Sequence, residues 1–424
     1  MNKINLVGCL AWLIGSLMAS TGSCQPEVYD AQLEIPGTNR GVEFGLMIAK
    51  AKDFELAKNP SLRGYIVNGD EQIEIPVVEF EDERLVFKFP HYDSVITTTT
   101  TKEVFGAKFG SDKFELSGEY RKRRGDDKWA VMPFKAKLAA SEFGEADTEL
   151  FAGSWKVKFD SSDDPAVAKF HRDQDTNRVL GTFLTTTGDY RYLSGYVKDK
   201  QLTICCFDGA HAFRFEAKRQ SNGELAGDFW SSNTWHEKWT AVKDDNAKLP
   251  DAFEQTAIKV ESGLTDLQFP DLDGKKRRLD DAEFQGPARL IYVFGSWCPN
   301  CHDAAAYFKE LQNKYGSRGL KILGLAFEVT SDHERNAAQV RTYLKRHGVE
   351  YPVLIAGPSD KPEASKKFPV LDKVRSYPTT IFLDGKGKVH AVHTGFTGPA
   401  TGKSYDELKQ KFESLIEEML LSKD

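Results

Sequence analysis

The sequence has few cysteines, no marked excess of charge of either sign, and no long apolar run beyond its N-terminus. Six cysteines among 424 residues are too few for a small scaffold held together by disulfides. A formal net charge of -6 gives no field that would draw the chain to nucleic acid or to anionic lipid. Because a membrane-spanning helix needs about 20 consecutive apolar residues, we expect the mature protein not to span a membrane. The length predicts two or three domains.

The N-terminus has the pattern of an export signal. Lys3 supplies a positive charge, residues 4–18 are largely apolar, and small residues follow up to Cys24. Residues 20–24, Ser-Thr-Gly-Ser-Cys, resemble a bacterial lipobox, in which the cysteine becomes the lipidated N-terminus. We therefore expect a signal peptide over residues 1–23 and lipidation at Cys24, with simple secretion after cleavage nearby as the alternative.

Residues 27–243 have the pattern of an all-β region. Short segments rich in β-branched and aromatic residues alternate with polar ones and are separated by Gly, Asn and Asp. Two halves, about 27–148 and 149–243, resemble each other, which predicts a lipocalin-like barrel or a sandwich. The aromatics of residues 189–196 recur every second residue, as in a strand with one dry face. Such a face either lines a ligand cavity or fills a core, and we favour the core.

Two further features of this region have plain structural interpretations. Cys205 and Cys206 are adjacent in a strand-like run, so their side chains are predicted to point to opposite faces and to pack in cores. The basic clusters 121–124 and 275–278 lie among turn-like residues and are predicted to be solvated hairpin tips, with a docking patch as the alternative.

After a polar linker, residues 244–252, the pattern changes to α/β over residues 253–424. An apolar run at 290–294 predicts a parallel strand buried on both faces, and it leads into Gly-Ser-Trp-Cys-Pro-Asn-Cys. A helical period follows, so Cys298 is predicted to lie at a helix N-terminus. There the exposed amides and the helix dipole stabilise a thiolate. Cys298 is therefore the expected nucleophile, and the buried Cys301, one turn inside, resolves the mixed disulfide.

The remaining elements complete a βαβαββα order. Strands are predicted at 322–327 and 352–355, and a strand at 376–385 runs into a hairpin. Capping boxes are predicted at Ser331 to Glu334 and at Ser404 to Glu407, each opening an amphipathic helix.

Three segments together resemble the TlpA/ResA group of thioredoxin-fold thiol-disulfide oxidoreductases of the cell envelope, which are redoxin or AhpC/TSA-like proteins. They are Trp297 to Cys301, the Tyr-Pro-Thr-Thr of 377–380, and the intervening strand that ends in Glu328. The resemblance covers about residues 254–422, to which the β-rich region is fused.

The resemblance implies roles for further residues. It implies that Pro378 is cis and packs against the dithiol, and that Tyr377 offers its backbone to the substrate. Trp297 and Pro299 are then also substrate-binding residues. Glu328 is implied to lie near the cysteines, which strand order supports, because Cys298 and Glu328 both follow the carboxyl ends of strands. The alternative for Glu328 is a surface carboxylate.

The resemblance also implies that a redox-active Cys298–Cys301 disulfide is the only cofactor. The usual role in this group is to reduce the cysteines of protein substrates in an oxidising compartment, with electrons from a membrane transporter of the DsbD/CcdA type. We adopt reduction as the working direction.

Other functions have weaker support. Cys-x-x-Cys followed by His302 is also the attachment motif of c-type haem, but here it lies between a buried strand and an amphipathic helix. A peroxiredoxin would need a threonine and a proline before its single peroxidatic cysteine, and these are missing before Cys298. A binding lipoprotein with a redox-inert second domain is a third alternative. His390 and His393 are predicted to face opposite ways on a strand, so no metal is expected.

Overall fold

A computed structural model of the chain describes residues 27–50, 62–81, 84–99, 115–139, 148–259, 264 and 267–421. The predicted signal peptide and Cys24 lie outside these residues. Among the helices that are described, none is both long and apolar enough to cross a bilayer.

The first sheet is antiparallel and, in the part of the chain that the structure describes, contains nine strands. They are β1 Glu27–Glu34, β2 Gly41–Lys50, β3 Leu62–Asn68, β4 Glu71–Ile75, β5 Val77–Glu81, β6 Arg84–Phe89, β7 Ser94–Thr99, β8 Glu115–Arg123 and β9 Trp129–Leu138. Their spatial order is β4-β3-β2-β1-β9-β8-β7-β6-β5. Buried and exposed residues alternate along β9, so one face of the sheet packs against a core and the other is solvated.

The second sheet also contains nine strands, and part of it closes on itself. Its strands are β10 Gly153–Phe159, β11 Ala166–Arg172, β12 Val179–Thr185, β13 Gly188–Asp189, β14 Leu193–Lys198, β15 Gln201–Phe207, β16 Ala212–Arg219, β17 Leu225–Ser231 and β18 Trp235–Lys243. The order is β11-β10-β18-β17-β16-β15-β14-β12-β13, and β11 also pairs with β12, which closes a barrel. Stacked rings of Phe183 and Phe215, 4.2 Å apart, and the buried Trp239 fill the interior. Tyr190 of the aromatic run 189–196 packs against this core, as predicted, whereas Tyr196 lines a cavity with residues of both sheets.

The strand predicted over 189–196 is interrupted, and this part of the prediction is wrong. β13 ends at Asp189 and β14 begins at Leu193, with Arg191 between them in the left-handed region at φ 59°. The Asp189 carboxylate accepts a hydrogen bond of 2.7 Å from the backbone N–H of Arg191, which stabilises this turn. A residue type that usually avoids this conformation is held there because its side chain is buried in an ion-pair cluster.

One basic cluster is only in part the solvated hairpin tip that was predicted, because Arg121 and Arg124 are exposed but Lys122 is not. Residues 121–124 lie at the end of β8, and Lys122 is only 4% exposed. Its ammonium donates a hydrogen bond of 3.1 Å to the carbonyl of Ala210, because the inner face of β8 packs towards the second sheet. Residues 275–278 do lie at a hairpin, formed by β19 Gln268–Pro270 and β20 Lys276–Arg278.

The adjacent cysteines of β15 point to opposite faces, which confirms that prediction. Cys205 packs in the core of the first sheet, which also contains Phe89 and Phe207. Cys206 packs inside the barrel of the second sheet. Both are buried and free.

The C-terminal part is a five-stranded sheet covered by helices. Its strands are β21 Ala288–Phe294, β22 Leu320–Glu328, β23 Val353–Pro358, β24 Thr379–Asp384 and β25 Val389–Thr394, and its helices are α1 Pro299–Tyr315, α2 His333–His347, α3 Lys361–Lys367 and α4 Lys403–Leu421. The order is β23-β22-β21-β24-β25, with β21 to β23 parallel and β24 and β25 antiparallel. Every residue of the central strand β21 is buried, as its apolar run predicted. The carboxyl ends of β21 and β22 therefore lie at one edge of the sheet.

The N-terminus of α2 differs from its prediction. The cap is Asp332, whose carboxylate accepts a hydrogen bond of 3.1 Å from the backbone N–H of Arg335. Ser331 lies one residue earlier, and its hydroxyl bonds the carboxylate of Asp126 in the β-rich region. The helix is therefore capped one residue later than predicted, and the Ser331 hydroxyl bonds a distant partner instead of the first turn.

The predicted cap of α4 is displaced in the same way. The helix begins at Lys403, so Ser404 lies within its first turn. The Ser404 hydroxyl accepts a hydrogen bond of 3.0 Å from the ammonium of Lys169, which again belongs to the β-rich region.

Candidate active site

Cys298 lies where β21 turns into α1. It is the N-cap residue of the helix, with extended backbone angles of φ -101° and ψ 113°. Its carbonyl accepts hydrogen bonds from the backbone N–H groups of Cys301 at 3.0 Å and of His302 at 3.2 Å, which close the first turn. Pro299 follows at the first helical position, where its missing N–H costs nothing. The Cys298 side chain consequently lies at the positive end of the helix dipole.

The Cys298 sulfur faces the loop before β24. Its Sγ–H donates a hydrogen bond of 3.3 Å to the carbonyl of Tyr377, and the Tyr377–Pro378 peptide bond is cis, as the resemblance implied. The Trp297 ring packs edge-on against the Tyr377 ring at 5.6 Å, and its indole N–H bonds the carbonyl of Phe327 at 2.9 Å. These contacts gather the expected substrate-binding residues around one thiol that is only 7% exposed.

Cys301 lies one turn further along α1 and has no exposed surface. Its carbonyl accepts hydrogen bonds of 2.8 Å from the hydroxyls of Tyr292 and Tyr343, which fix this turn of the helix. Burial raises the pKa of the Cys301 thiol well above its usual value, and the neighbouring Cys298 raises it further. Cys301 therefore keeps its proton while Cys298 faces the site.

Glu328 is the last residue of β22 and is completely buried, so the alternative of a surface carboxylate is wrong. One carboxylate oxygen accepts a hydrogen bond of 2.8 Å from the backbone N–H of Ser296, and the other accepts one of 2.7 Å from its hydroxyl. Burial raises the pKa of Glu328 to about 7, against the opposite effect of these two hydrogen bonds. Glu328 thus holds the loop two residues before Cys298.

His302 is packed as a structural residue. Its Nε2 lies 2.8 Å from the carbonyl of Ser296, and its Nδ1 lies 2.6 Å from Nε2 of His347. Burial lowers the pKa of His302 well below its usual value. A neutral ring that donates from Nε2 must accept at Nδ1, so both nitrogens are engaged, which disfavours haem ligation. Within the described ranges no cluster of three or more His, Cys, Asp or Glu side chains could hold a metal ion.

The β-rich region packs against the Cys-x-x-Cys motif, a contact that no sequence pattern indicated. The turn between β12 and β13 reaches α1 and the cis-proline loop. The Asn300 side-chain amide bonds the carbonyl of Asp189 at 3.4 Å, and the Ser376 hydroxyl bonds the carbonyl of Thr187 at 2.7 Å. At Gly188 a Cβ atom would lie 2.3 Å from the Asn300 amide nitrogen. This close approach explains why a glycine stands there.

Ion pairs of Arg191 hold this turn against α1. Its buried guanidinium forms ion pairs with Glu71 at 2.7 Å, with Asp208 at 3.5 Å and with Asp303 of α1. Asp189 beside it accepts a hydrogen bond of 2.6 Å from the backbone N–H of Gly398, and burial raises the pKa of Asp189 to about 6. One cation thus joins both sheets of the β-rich region to the active-site helix. The only sequence feature that indicated this ion-pair cluster is the position of a charged residue, Arg191, inside an aromatic stretch.

The charge of Cys298 affects the pKa of two lysines. Burial lowers the pKa of Lys122 to about 7, and the charges of Asp208 and Cys298 oppose that change. Partial desolvation also lowers the pKa of Lys361 at the start of α3, although its side chain keeps an exposed surface, and again Cys298 opposes the change. Cys298 therefore acts electrostatically on one lysine from each part of the chain.

The geometry defines a thioredoxin-fold protein with a redox dithiol at a helix N-terminus. Residues 260–392 match the model of the AhpC/TSA family. Over 164 residues the chain is 28% identical to the thiol-disulfide oxidoreductase ResA of Geobacillus thermodenitrificans, which covers 38% of this chain and 81% of that protein. Over 147 residues it is 32% identical to the thioredoxin-like protein YneN of Bacillus subtilis, and this alignment covers 33% of this chain and 78% of that protein. A putative thiol:disulfide interchange protein DsbE from Chlorobium tepidum aligns with a TM-score of 0.30 and 20% identity over 39% of this chain and 99% of that one.

The chain belongs to the TlpA/ResA-like family of thioredoxin-fold proteins through its C-terminal part. It is a thiol-disulfide oxidoreductase of the thioredoxin-like type. The remainder of the described chain is the β-rich region with its two sheets.

Proposed function

We propose that this enzyme reduces disulfides of proteins in the cell envelope, with Cys298 as the nucleophile and Cys301 as the resolving thiol. The supporting observation is the asymmetry of the pair. Cys298 lies at the positive end of α1 with its sulfur at the substrate loop, whereas Cys301 is fully buried and its thiol pKa is raised. A reactive first thiol and a protonated second thiol are what a two-step exchange requires.

In the first step the Cys298 thiolate attacks one sulfur of the substrate disulfide. A bond forms between the Cys298 Sγ and that sulfur, the substrate S–S bond breaks, and the other sulfur leaves as a thiolate that takes up a proton. In the second step Cys301 loses its proton and attacks the Cys298 Sγ. The Cys298–Cys301 disulfide forms, and the substrate leaves as a dithiol after gaining two electrons and two protons.

We assign supporting roles to the residues around the pair. When Cys298 loses its proton, the Tyr377 carbonyl loses its donor and can accept a substrate backbone N–H beside the cis Pro378. Trp297 and Pro299 form the apolar walls of that contact. Glu328, with a pKa near neutrality, is suited to take up or relay the proton of Cys301 through the Ser296 loop.

The same proposal includes the setting of the enzyme. A signal peptide over residues 1–23 with lipidation at Cys24 would anchor it at a membrane surface. A transporter of the DsbD/CcdA type would return electrons to the Cys298–Cys301 disulfide, which is then the only cofactor. We further propose a lipocalin-like fold for the domain of residues 27–243, a linker at 244–252, and the catalytic domain at 253–424.

The experiment is disulfide trapping in the native envelope. Cys301→Ser should accumulate disulfide-linked adducts, because the intramolecular attack that normally destroys them is lost. The double variant Cys298→Ser/Cys301→Ser is the control and should form none, and Cys298→Ser alone should abolish reduction of insulin. Wild-type protein should be mainly dithiol while its electron donor is present, whereas a resting disulfide would reverse the assigned direction. Insulin reduction by Cys298→Ser at the wild-type rate would overturn the mechanism, and rapid consumption of hydrogen peroxide would favour a peroxidase.

A further inference from the structure

A groove runs along the boundary between the β-rich region and the cis-proline loop. It encloses a cavity of about 390 Å³. The wall on one side contains Thr187, whose carbonyl holds the Ser376 hydroxyl, and the other side contains Lys361 and Arg375. Arg375 stands two residues before Tyr377, the residue whose carbonyl contacts the Cys298 sulfur. The groove therefore lies beside the loop whose Tyr377 carbonyl contacts the nucleophile.

The approach to the motif along α1 is restricted by the β-rich region. The turn at Thr187 to Asp189 lies against Asn300, and Arg191 locks that turn to α1. Asn300 is 8% exposed and Cys301 has no exposed surface. A substrate that reaches Cys298 from the side of Lys361 avoids this covered part of α1.

The lining of the groove is cationic. Lys361, Lys373 and Arg375 contribute three positive charges, and among the described lining residues only Asp164 contributes a carboxylate. Arg375 is paired with Asp372 at 3.5 Å, but in the described part of the chain no carboxylate forms an ion pair with Lys361 or Lys373. Both lysines are exposed to solvent. The ammonium groups of Lys361 and Lys373 are therefore available to bind an anionic group in the groove.

We propose that this groove binds an acidic chain segment beside the substrate cysteine, so that the enzyme selects protein disulfides flanked by Asp or Glu. The inference rests on the proposed disulfide reduction and adds a substrate class to it. Positive groups on a docking surface attract carboxylates and repel like charges, so they act on specificity and on the rate of encounter.

The test uses the full chain and two peptide disulfides that differ only in flanking charge, with glutamates or with lysines around one cysteine. Each kcat/KM is divided by the rate of the same peptide with dithiothreitol, which removes differences in intrinsic reactivity. Because Lys361 and Cys298 also interact electrostatically, each value is further divided by the rate with hydroxyethyl disulfide, which is uncharged. The variants are Lys361→Glu/Lys373→Glu and a control, Lys386→Glu/Lys388→Glu. The control makes the same change of net charge at the hairpin beyond the opposite end of β24.

Wild type and control should prefer the acidic peptide by about tenfold, and the groove variant should lose or reverse that preference, chiefly through KM. The preference should fall as salt rises from about 10 mM to about 1 M, because the screening length shortens from ~30 to ~3 Å. Equal rates for both peptides in wild type, or an unchanged preference in the groove variant, would overturn the inference while leaving disulfide reduction intact. Failure of wild type to reduce any of the three disulfides would overturn the proposed function itself.

Discussion

Replacing Glu328 by glutamine should make the protein more stable above pH 7 and leave its stability nearly unchanged below pH 4.5. Burial raises the pKa of this carboxyl from 4.5 to about 7, so the folded state binds a proton that the unfolded state has already released in this range. Stability is then greatest below pH 4.5 and is lost as the pH rises to 7. Glutamine stays neutral and keeps the shape of the protonated side chain, so it avoids this loss.

The magnitude follows from the two pKa values. A rise from 4.5 to about 7 corresponds to about 3 kcal/mol of the free energy of unfolding. The carboxylate accepts two hydrogen bonds from Ser296. Glutamine can keep both contacts by accepting from the Ser296 N–H and donating to its hydroxyl. We therefore expect Glu328→Gln to gain about 2–3 kcal/mol relative to wild type at pH 8.

The assay is urea unfolding of the full chain across this pH range, analysed as the difference between variant and wild type at each pH. Taking the difference cancels the other titrating groups, including Asp189. Glu350→Gln, at an exposed position, is the matched control and should give a difference near zero throughout. A Glu328→Gln difference that does not change with pH, or a variant that is less stable at pH 8, would refute the reasoning about burial. A second measurement tests the proposed proton transfer. The rates at which both thiols are alkylated are compared between wild type and Glu328→Gln from about pH 5 to about pH 10. If the two pH profiles overlap, Glu328 has a structural role only.

Two further substitutions test the contact between the β-rich region and α1. Arg191→Ala leaves the buried Asp208 and the partly buried Glu71 and Asp303 without their cation and should cost about 3–5 kcal/mol of unfolding free energy; a loss below about 1 kcal/mol in urea unfolding would contradict the assigned anchoring. Gly188→Ala places a Cβ atom 2.3 Å from the Asn300 amide, so the turn should move away and iodoacetamide should alkylate Cys298 several times faster. Gly37→Ala, also at positive φ but with open space around it, should leave that rate unchanged, and equal rates in the two variants would show that the turn does not restrict access.

The strand, turn and helix around the dithiol could be predicted because each signal is local. The apolar run of β21 and the helical period of α1 are continuous in sequence. Together they fix Cys298 as the N-cap residue without information from distant residues. The burial of Glu328 required the strand order as well, and the family pattern supplied it.

The interdomain contacts could not be predicted, because their partners are far apart in sequence. Asp303 pairs with Arg191, which is 112 residues away, and no local pattern links the two. The same cause explains the wrong predictions. The local sequence predicts that Lys122 is an exposed lysine at a strand end, but its ammonium bonds the Ala210 carbonyl of the second sheet. It also predicts that Ser331 caps a helix, but the Ser331 hydroxyl bonds Asp126.

Strand β15 has consequences for how the β-rich region can be divided. Both of its faces are buried, with Cys205 in one core and Cys206 in the other. A fragment that lacks the first sheet would expose the Cys205 face to water, so the barrel is unsuited to expression on its own. Thiol-reactive probes at these two positions would respond to different events, since Cys205 becomes accessible when the sheets separate and Cys206 only when the barrel opens. Two consecutive residues would thus act as separate reporters in an unfolding experiment.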